Sequence, residues 1–296
     1  MLFRSVIKVS LTGTKAIAGD TVQLYNGTGT TSQLGSSYTL TSTDITNGYA
    51  TVQPGTLLNG STYNITSRIT STVDGLQSNA SSAFTVTIDT VAPTATATVT
   101  ALSADTGTSG SDFITRTAAQ TISGTFTGTL GTGETIQVSA DGTTWVNATT
   151  SGSTFTASGV TLVSSSSALS VRTIDLAGNV TTGTGHSYTL DTIAPSVSIT
   201  SETSNNATST LAKAGDVITV AFTSTDTVTS VTIGGRTATV TNTGGNNYTA
   251  TYTVQSADNA LATTVAVTST DVAGNTTTQN LAAAVTIDTE IGRAHV

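Results

Sequence analysis

Apolar and polar residues alternate in short runs along the whole chain. Phe84, Val86 and Ile88 are separated by polar neighbours, as are Leu169 and Val171, Tyr188 and Leu190, Val265 and Val267, and Val285 and Ile287. A period of two puts such residues on one face of a β-strand, which predicts strands with one buried side and one wet side. Turn signals interrupt the runs at Asn26-Gly27, Asn47-Gly48, Asn59-Gly60, Asp141-Gly142, Gly178-Asn179, Gly234-Gly235 and Gly244-Gly245. Their recurrence, roughly every 8–12 residues, is the spacing of a small all-β sandwich.

The pattern itself repeats. Phe84–Pro93 reads FTVTIDTVAP, His186–Pro195 reads HSYTLDTIAP, and Ala283–Thr289 reads AAVTIDT. The shared aspartates are Asp89, Asp191 and Asp288, spaced by 191 − 89 = 102 and 288 − 191 = 97 residues. Upstream of the last two stand Asp175–Asn179 (DLAGN) and Asp271–Asn275 (DVAGN), while the matching stretch of the first repeat, VDGLQSN (Val73–Asn79), has lost the tight turn. An apolar sheet face has to be covered by a second sheet, and seven or so short strands per hundred residues do this without helices. The predicted fold class is therefore all-β, with tandem immunoglobulin-like β-sandwiches arranged end to end. Their expected bounds are 6–90, truncated at its N-terminus, then 91–192 and 193–289.

Composition narrows the function. Only 9% of the 296 residues are charged, against about 25% in an average soluble protein. Threonine, about a quarter of the chain, replaces them and favours strands through its β-branched side chain. Net charge is −8 with no basic cluster, so no nucleic-acid partner is expected. No apolar run approaches the roughly 20 residues of a membrane-spanning helix, and the absence of cysteine excludes disulfides and thiolate metal sites.

Catalytic inventory is thin, and no enzyme is expected. Only His186 and His295 could serve as imidazole bases, and Glu134, Glu202 and Glu290 stand in unrelated contexts. Trp145, the single tryptophan, is read either as a core anchor or as a ligand-binding platform for sugar stacking.

The linkers carry the strongest candidate chemistry. Ile88–Pro93 (IDTVAP) is short, and its proline biases the preceding residue toward extended backbone. A seven-strand topology places Asp175 and Asn179 against the linker at Asp89, and Asp271 and Asn275 against the linker at Asp191. It also places Asp20 near Asp89, and Asp105 and Asp112 near Asp191. Carboxylates gathered from several segments repel unless a cation is shared, and hard oxygen ligands select Ca²⁺. These nine residues form the expected calcium set; the alternative is that the DxAGN aspartate merely caps a turn.

The order DxAGN, alternating strand, (I/L)DT-x-AP resembles the tandem bacterial Ig-like domains of large surface adhesins, the biofilm-associated and RTX-adhesin class. DTGTSGSDFITRTAAQTISGT (Asp105–Thr125) and SNNATSTLAKAGDVITVAF (Ser204–Phe222) are similar to common repeat types in those proteins. The resemblance covers residues 6–289 and implies calcium-stiffened joints in a cell-surface or extracellular stalk. Expected partners are neighbouring repeats, with a host or biofilm-matrix glycan or protein bound through other domains. Two further readings stay open: a glycan-binding Ig-like module, and accessory domains of a secreted polysaccharide-degrading enzyme. At the ends, residues 1–5 and 290–296 resemble translated sequencing adapters and are expected to be scars.

Overall fold

The computed structural model describes residues 6–163 and 165–290. The two adapter-like segments therefore lie outside the described residues, apart from Glu290. The described chain is all-β, a set of mainly antiparallel sheets with one six-residue α-helix and one short 3₁₀ turn. It forms two compact units.

The first unit holds the chain up to Pro93 together with Gly131–Glu134 and Ile174–Val180. Its strands are β1 (Ile7–Ser10), β2 (Thr21–Asn26), β3 (Gln33–Thr39), β4 (Tyr49–Val52), β5 (Thr62–Thr70) and β6 (Phe84–Thr87). One sheet runs β3-β2-β5-β6, and β1 pairs with β4 in the facing sheet. Val9, Val22, Leu24, Leu40, Val52 and Ile65 pack between the two, which is the alternation of the sequence turned into a core. A helix, α1 (Ser42–Asn47), links β3 to β4. Thr41 starts it through a reciprocal pair of hydrogen bonds with Asp44, and Gly48 ends it in the left-handed region at φ 73°.

The second unit contains two further cores. The strands of the second sandwich are β7 (Thr96–Leu102), β8 (Ile114–Thr115), β9 (Ala119–Thr127), β10 (Thr135–Ser139), β11 (Val146–Asn147), β12 (Thr149–Ser151), β13 (Thr154–Thr161), β14 (Ser165–Ile174), β15 (Val180–Thr182) and β16 (His186–Leu190). Its sheets run β12-β13-β9-β7 and β11-β10-β14-β16-β8, with β15 also against β14. Ile122, Ile136, Val138, Phe155 and Leu169 are buried between them.

The third sandwich repeats the plan. It uses β17 (Val197–Ser204), β18 (Leu211–Ala212), β19 (Val217–Ser224), β20 (Thr227–Ile233), β21 (Arg236–Thr237), β22 (Thr239–Gly244), β23 (Asn247–Thr253), β24 (Val265–Thr270), β25 (Thr276–Leu281) and β26 (Thr286–Ile287). Its sheets are β17-β19-β23-β22, β21-β20-β24-β25 and the parallel pair β18-β26.

In the second and third sandwiches the first strand joins one sheet, and the next short strand crosses to pair in parallel with the last strand of the other. Thus β7 lies on β9 and β8 on β16, while β17 lies on β19 and β18 on β26. The first sandwich starts two strands later among the described residues, because β1 pairs with β4 as β9 pairs with β13. Residues 11–20 are therefore the loop between the third and fourth strands of the plan. This corrects the expected position of Asp20. It precedes Thr21, which faces Thr70 at one end of β5, whereas Asp89 follows the end where Thr62 faces Thr87. Eight strand steps, about 26 Å, separate the two ends.

Candidate functional site

Each DxAGN segment folds into a tight loop governed by its aspartate. Asp175 Oδ1 accepts hydrogen bonds from the amides of Ala177 (2.9 Å) and Asn179 (2.8 Å), and Asp271 Oδ1 accepts one from the Asn275 amide (2.8 Å). Gly178 and Gly274 supply the positive φ that closes each turn, at 90° and 87°. The expected turn-capping role of these aspartates is thus present at both positions.

The asparagine adds a second function. Asn179 Nδ2 donates to Asp175 Oδ2 at 2.8 Å and to the backbone carbonyl of Asp89 at 3.1 Å. Asn275 Nδ2 does the same with Asp271 Oδ2 (2.8 Å) and the carbonyl of Asp191 (2.9 Å). One NH₂ group, with its two hydrogens, ties a loop to a linker 90 residues away in the first case and 84 in the second. The carboxamide orientation is fixed chemically, because the reverse would set its oxygen against a carboxylate. The linker aspartates turn their own side chains elsewhere: Asp89, Asp191 and Asp288 each accept from the amide two residues on, at 3.0, 2.9 and 3.0 Å.

Burial and charge separate the two joints. Asp271 and Asn275 are 6% and 9% exposed, while Asp175 and Asn179 are half-buried. Desolvation works against the charge on Asp175, but hydrogen bonds from the Asn179 side chain and amide and from Ala177 and Gly178 outweigh it, holding the carboxyl below its usual range. At the Asp191 linker further contacts accumulate. Thr106 Oγ1 donates to the Ala273 carbonyl at 2.6 Å, and the Arg116 guanidinium donates to the Gly274 carbonyl. Gly107, at φ 104°, lies so close to Val272 that a Cβ would collide with its carbonyl oxygen.

The other expected ligands are distributed differently. Asp105 sits at the start of this loop, with one carboxylate oxygen accepting from the Phe113 amide at 3.0 Å and the other buried without a hydrogen-bond partner. Asp112 caps Ile114 at 3.0 Å. Since Ile114 pairs in parallel with Thr189, Asp112 lies level with residue 187, four residues short of Asp191. Asp20 accepts from the Ile17 and Thr72 amides, both at 2.9 Å, at the far end of its sandwich.

This donor set does not fit calcium as it stands. A Ca²⁺ ion needs six to eight oxygens. At each joint the point between carboxylate and linker carbonyl is held by an amide hydrogen-bond donor, and the other carboxylate oxygen is engaged by backbone amides, two at Asp175 and one at Asp271, while Asp105 keeps one buried oxygen without a partner. Among the described residues no three acidic or histidine side chains group as a metal would require. The asparagine nitrogen stands where a cation was expected and donates hydrogen bonds to the same oxygens.

Trp145 is half-buried and outside the core cluster of its sandwich. The Arg172 guanidinium covers its ring at 3.8 Å, and Arg172 Nε donates to Gln137 Oε1 at 2.8 Å. His186 is exposed and stacks on Phe113 with ring centroids 3.6 Å apart.

A repeated pin escaped the motif reading. Tyr38–Asp44 (YTLTSTD) and Tyr252–Asp258 (YTVQSAD) share their spacing. In both, the tyrosine hydroxyl donates to the aspartate, at 3.0 and 2.5 Å, and the aspartate also accepts the amide three residues before it at 2.8 Å. Asp258 is buried and paired with Arg236 at 3.2 Å. Beside it the chain meets its next linker, where Asn259 Oδ1 accepts from the Thr289 amide as Asn59 Oδ1 accepts from the Thr90 amide. Aligning the repeats on these tyrosines would have exposed the pattern.

No protein-family model matches the chain, and no curated protein does. Solved structures do show likenesses. One, described as a Ca²⁺-stabilized adhesin that helps an Antarctic bacterium reach out and bind ice, is 24% identical over 96% of this chain and 69% of its own, with a TM-score of 0.41. A second, from a 1.5-MDa bacterial ice-binding adhesin, is 22% identical over 92% of this chain and 87% of its own, at 0.38. A third, a mixed-linkage glucan-binding SGBP-B of Bacteroides ovatus, is 16% identical over 97% and 64%, at 0.23. All three scores lie below 0.5, so the reading of this chain rests on its own residues.

Proposed function

We propose that this chain is a spacer segment of a bacterial cell-surface or secreted adhesin, in which successive Ig-like sandwiches (6–90, 91–192 and 193–289) contribute length and mechanical resistance rather than chemistry. The observation that supports it is the recurrence of one joint: the same Asp–Asn loop meets the same linker carbonyl at Asp89 and at Asp191. A binding or catalytic site has no reason to be copied at each repeat, whereas a joint does. The hydroxyl-rich, cysteine-free composition suits the outside of a cell.

Force spectroscopy on the full chain tests this reading. Separate unfolding events with one event per sandwich are expected. A single event, or unfolding at forces too low to resolve, would overturn it. A glycan array supplies the opposing outcome: binding that is lost in Trp145→Ala would replace the spacer by a glycan-binding module, as the half-buried Trp145–Arg172 stack would then be the platform.

Calcium enters as the second arm. The motif resemblance implies stiffening by the ion, whereas the amide-filled joints imply indifference to it. Small-angle scattering and thermal melting in millimolar Ca²⁺ and in EGTA separate the two. We expect superimposable curves, and a chelator-dependent maximum dimension would return the ion to the joints.

A further inference from the structure

We propose that the seam between the two sheets of the first sandwich binds one two-strand segment, of the chemistry carried by residues 94–117: a strand of small apolar residues alternating with threonine, then a polar loop and a short second strand. In the second sandwich that segment closes the equivalent seam. β7 pairs antiparallel with β9 in one sheet. Its Val99 amide donates to the Thr184 carbonyl at 3.0 Å, and its Ala97 carbonyl accepts from the Thr184 amide at 2.8 Å. β8 then pairs in parallel with β16 in the other sheet. Ala95, Ala97, Phe113 and Thr115 are buried in the process. β17 and β18 make the same two pairings in the third sandwich.

The first sandwich presents both edges of this seam unpaired among the described residues. β1 is paired only with β4, and β6 only with β5. Two hollows, of about 620 and 180 Å³, lie along it. They are lined by Val9 and Ser10 from one sheet and by Ser67, Ile69, Ser81 and Phe84 from the other side. Phe84, on the open strand, is 60% exposed. Unpaired backbone groups on two facing edges over an apolar trough are a template for strand addition. The register follows from the other sandwiches, antiparallel to β1 and parallel to β6. The alternate residues entering the trough must be small, as Ala95 and Ala97 are.

A synthetic peptide of residues 94–117, added to the full chain, tests the proposal by hydrogen exchange. Amides within 7–10 and 84–87 should exchange at least tenfold more slowly with saturating peptide, and those of β9 should not change. A peptide carrying Thr98→Pro and Val99→Pro, at positions whose amides face the antiparallel partner and the Thr184 carbonyl respectively, should give no protection. Unchanged exchange with the native peptide, or equal protection by the proline peptide, would overturn the site. Protection of the same strands that rises with protein concentration alone would assign the seam to a second copy of the chain instead, and also overturn it. Because a threonine-rich peptide can self-associate, the same segment fused ahead of Val6 through a flexible linker gives an independent readout. The fusion should raise the melting temperature of the first sandwich, and a fusion with no such rise would count against the site.

Discussion

The Asn275 carboxamide nitrogen lies 2.8 Å from Asp271 Oδ2 and 2.9 Å from the Asp191 carbonyl oxygen, so a single NH₂ group closes a loop and holds a linker. Both of its hydrogens are used, and the pair is buried. Removing it leaves a carboxylate oxygen and a carbonyl short of donors at once. Asn275→Ala should therefore destabilise the chain by about 1–3 kcal/mol, the cost of leaving buried acceptors unsatisfied, measured by urea unfolding.

Asn275→Asp separates the amide joint from a metal joint. It sets a second carboxylate against Asp271, and two such charges in contact repel. The variant should melt below wild type and recover part of the loss in millimolar Ca²⁺, since it now offers the oxygens that the ion prefers. Wild type should not respond. A wild-type melting temperature that rises with Ca²⁺ as much as the variant's would show that the asparagine does not take the cation's place.

Gly107 tests how tightly the loop at Val272 is seated. Its φ of 104° is strained for any residue with a Cβ, and that Cβ would strike the Val272 carbonyl. Gly235, at φ 72° with open space around it, is the control. Gly235→Ala should cost about 1 kcal/mol from backbone strain alone. Gly107→Ala should cost clearly more, with the excess vanishing in a chain cut before residue 271 if the contact with Val272 is its cause. Equal losses in thermal melts of the full chain would place the whole effect in the backbone.

Much of this was legible in the sequence, for identifiable reasons. Alternation at Val265, Val267, Val285 and Ile287 gave strands because one face of each is buried in a shared core. The approach of the Asp175–Asn179 loop to the Asp89 linker, and of the Asp271–Asn275 loop to the Asp191 linker, followed from strand direction alone. Asp20 was misplaced because counting strands from the chain start assumes that the first repeat begins where the others do. It begins two strands later among the described residues. The part played by Asn179 and Asn275 was hidden for another reason. A sequence shows that oxygens and amides converge, but only geometry shows which atom of the carboxamide points inward. The helix at Ser42–Asn47 was missed because Thr41 and Asp44 form a capping box in a segment with no helical period.

Acid should weaken the chain within a defined window. Hydrogen bonds hold Asp175 below the usual carboxylate range against the desolvation that opposes them. Asp258 is held down in the same way: burial opposes its charge, but Tyr252, the Gln255 amide and Arg236 outweigh it. A carboxyl whose folded value is depressed contributes stability above its unfolded value, about 3.9, and loses it as pH falls through the folded value. Unfolding free energy should be flat on this account from about pH 7 to 5 and decline below about pH 4. Asp258→Asn should make the decline shallower. A decline already complete above pH 5 would overturn this assignment to depressed carboxyls.

Tyr252 and Tyr38 provide a paired measurement in one molecule. Each hydroxyl donates to an aspartate six residues on, yet Asp258 is buried and shared with Arg236, whereas Asp44 has only its own helix start to serve. Tyr252→Phe leaves a buried carboxylate oxygen with fewer donors and should cost about 1–3 kcal/mol. Tyr38→Phe should cost less, because solvent replaces the lost donor. Hydrogen exchange should localise the first loss to residues 252–259 and to the Thr289 amide, which hangs on Asn259 at 3.1 Å. The same exchange at Thr289 in both variants would break the link between this pin and the linker that follows it.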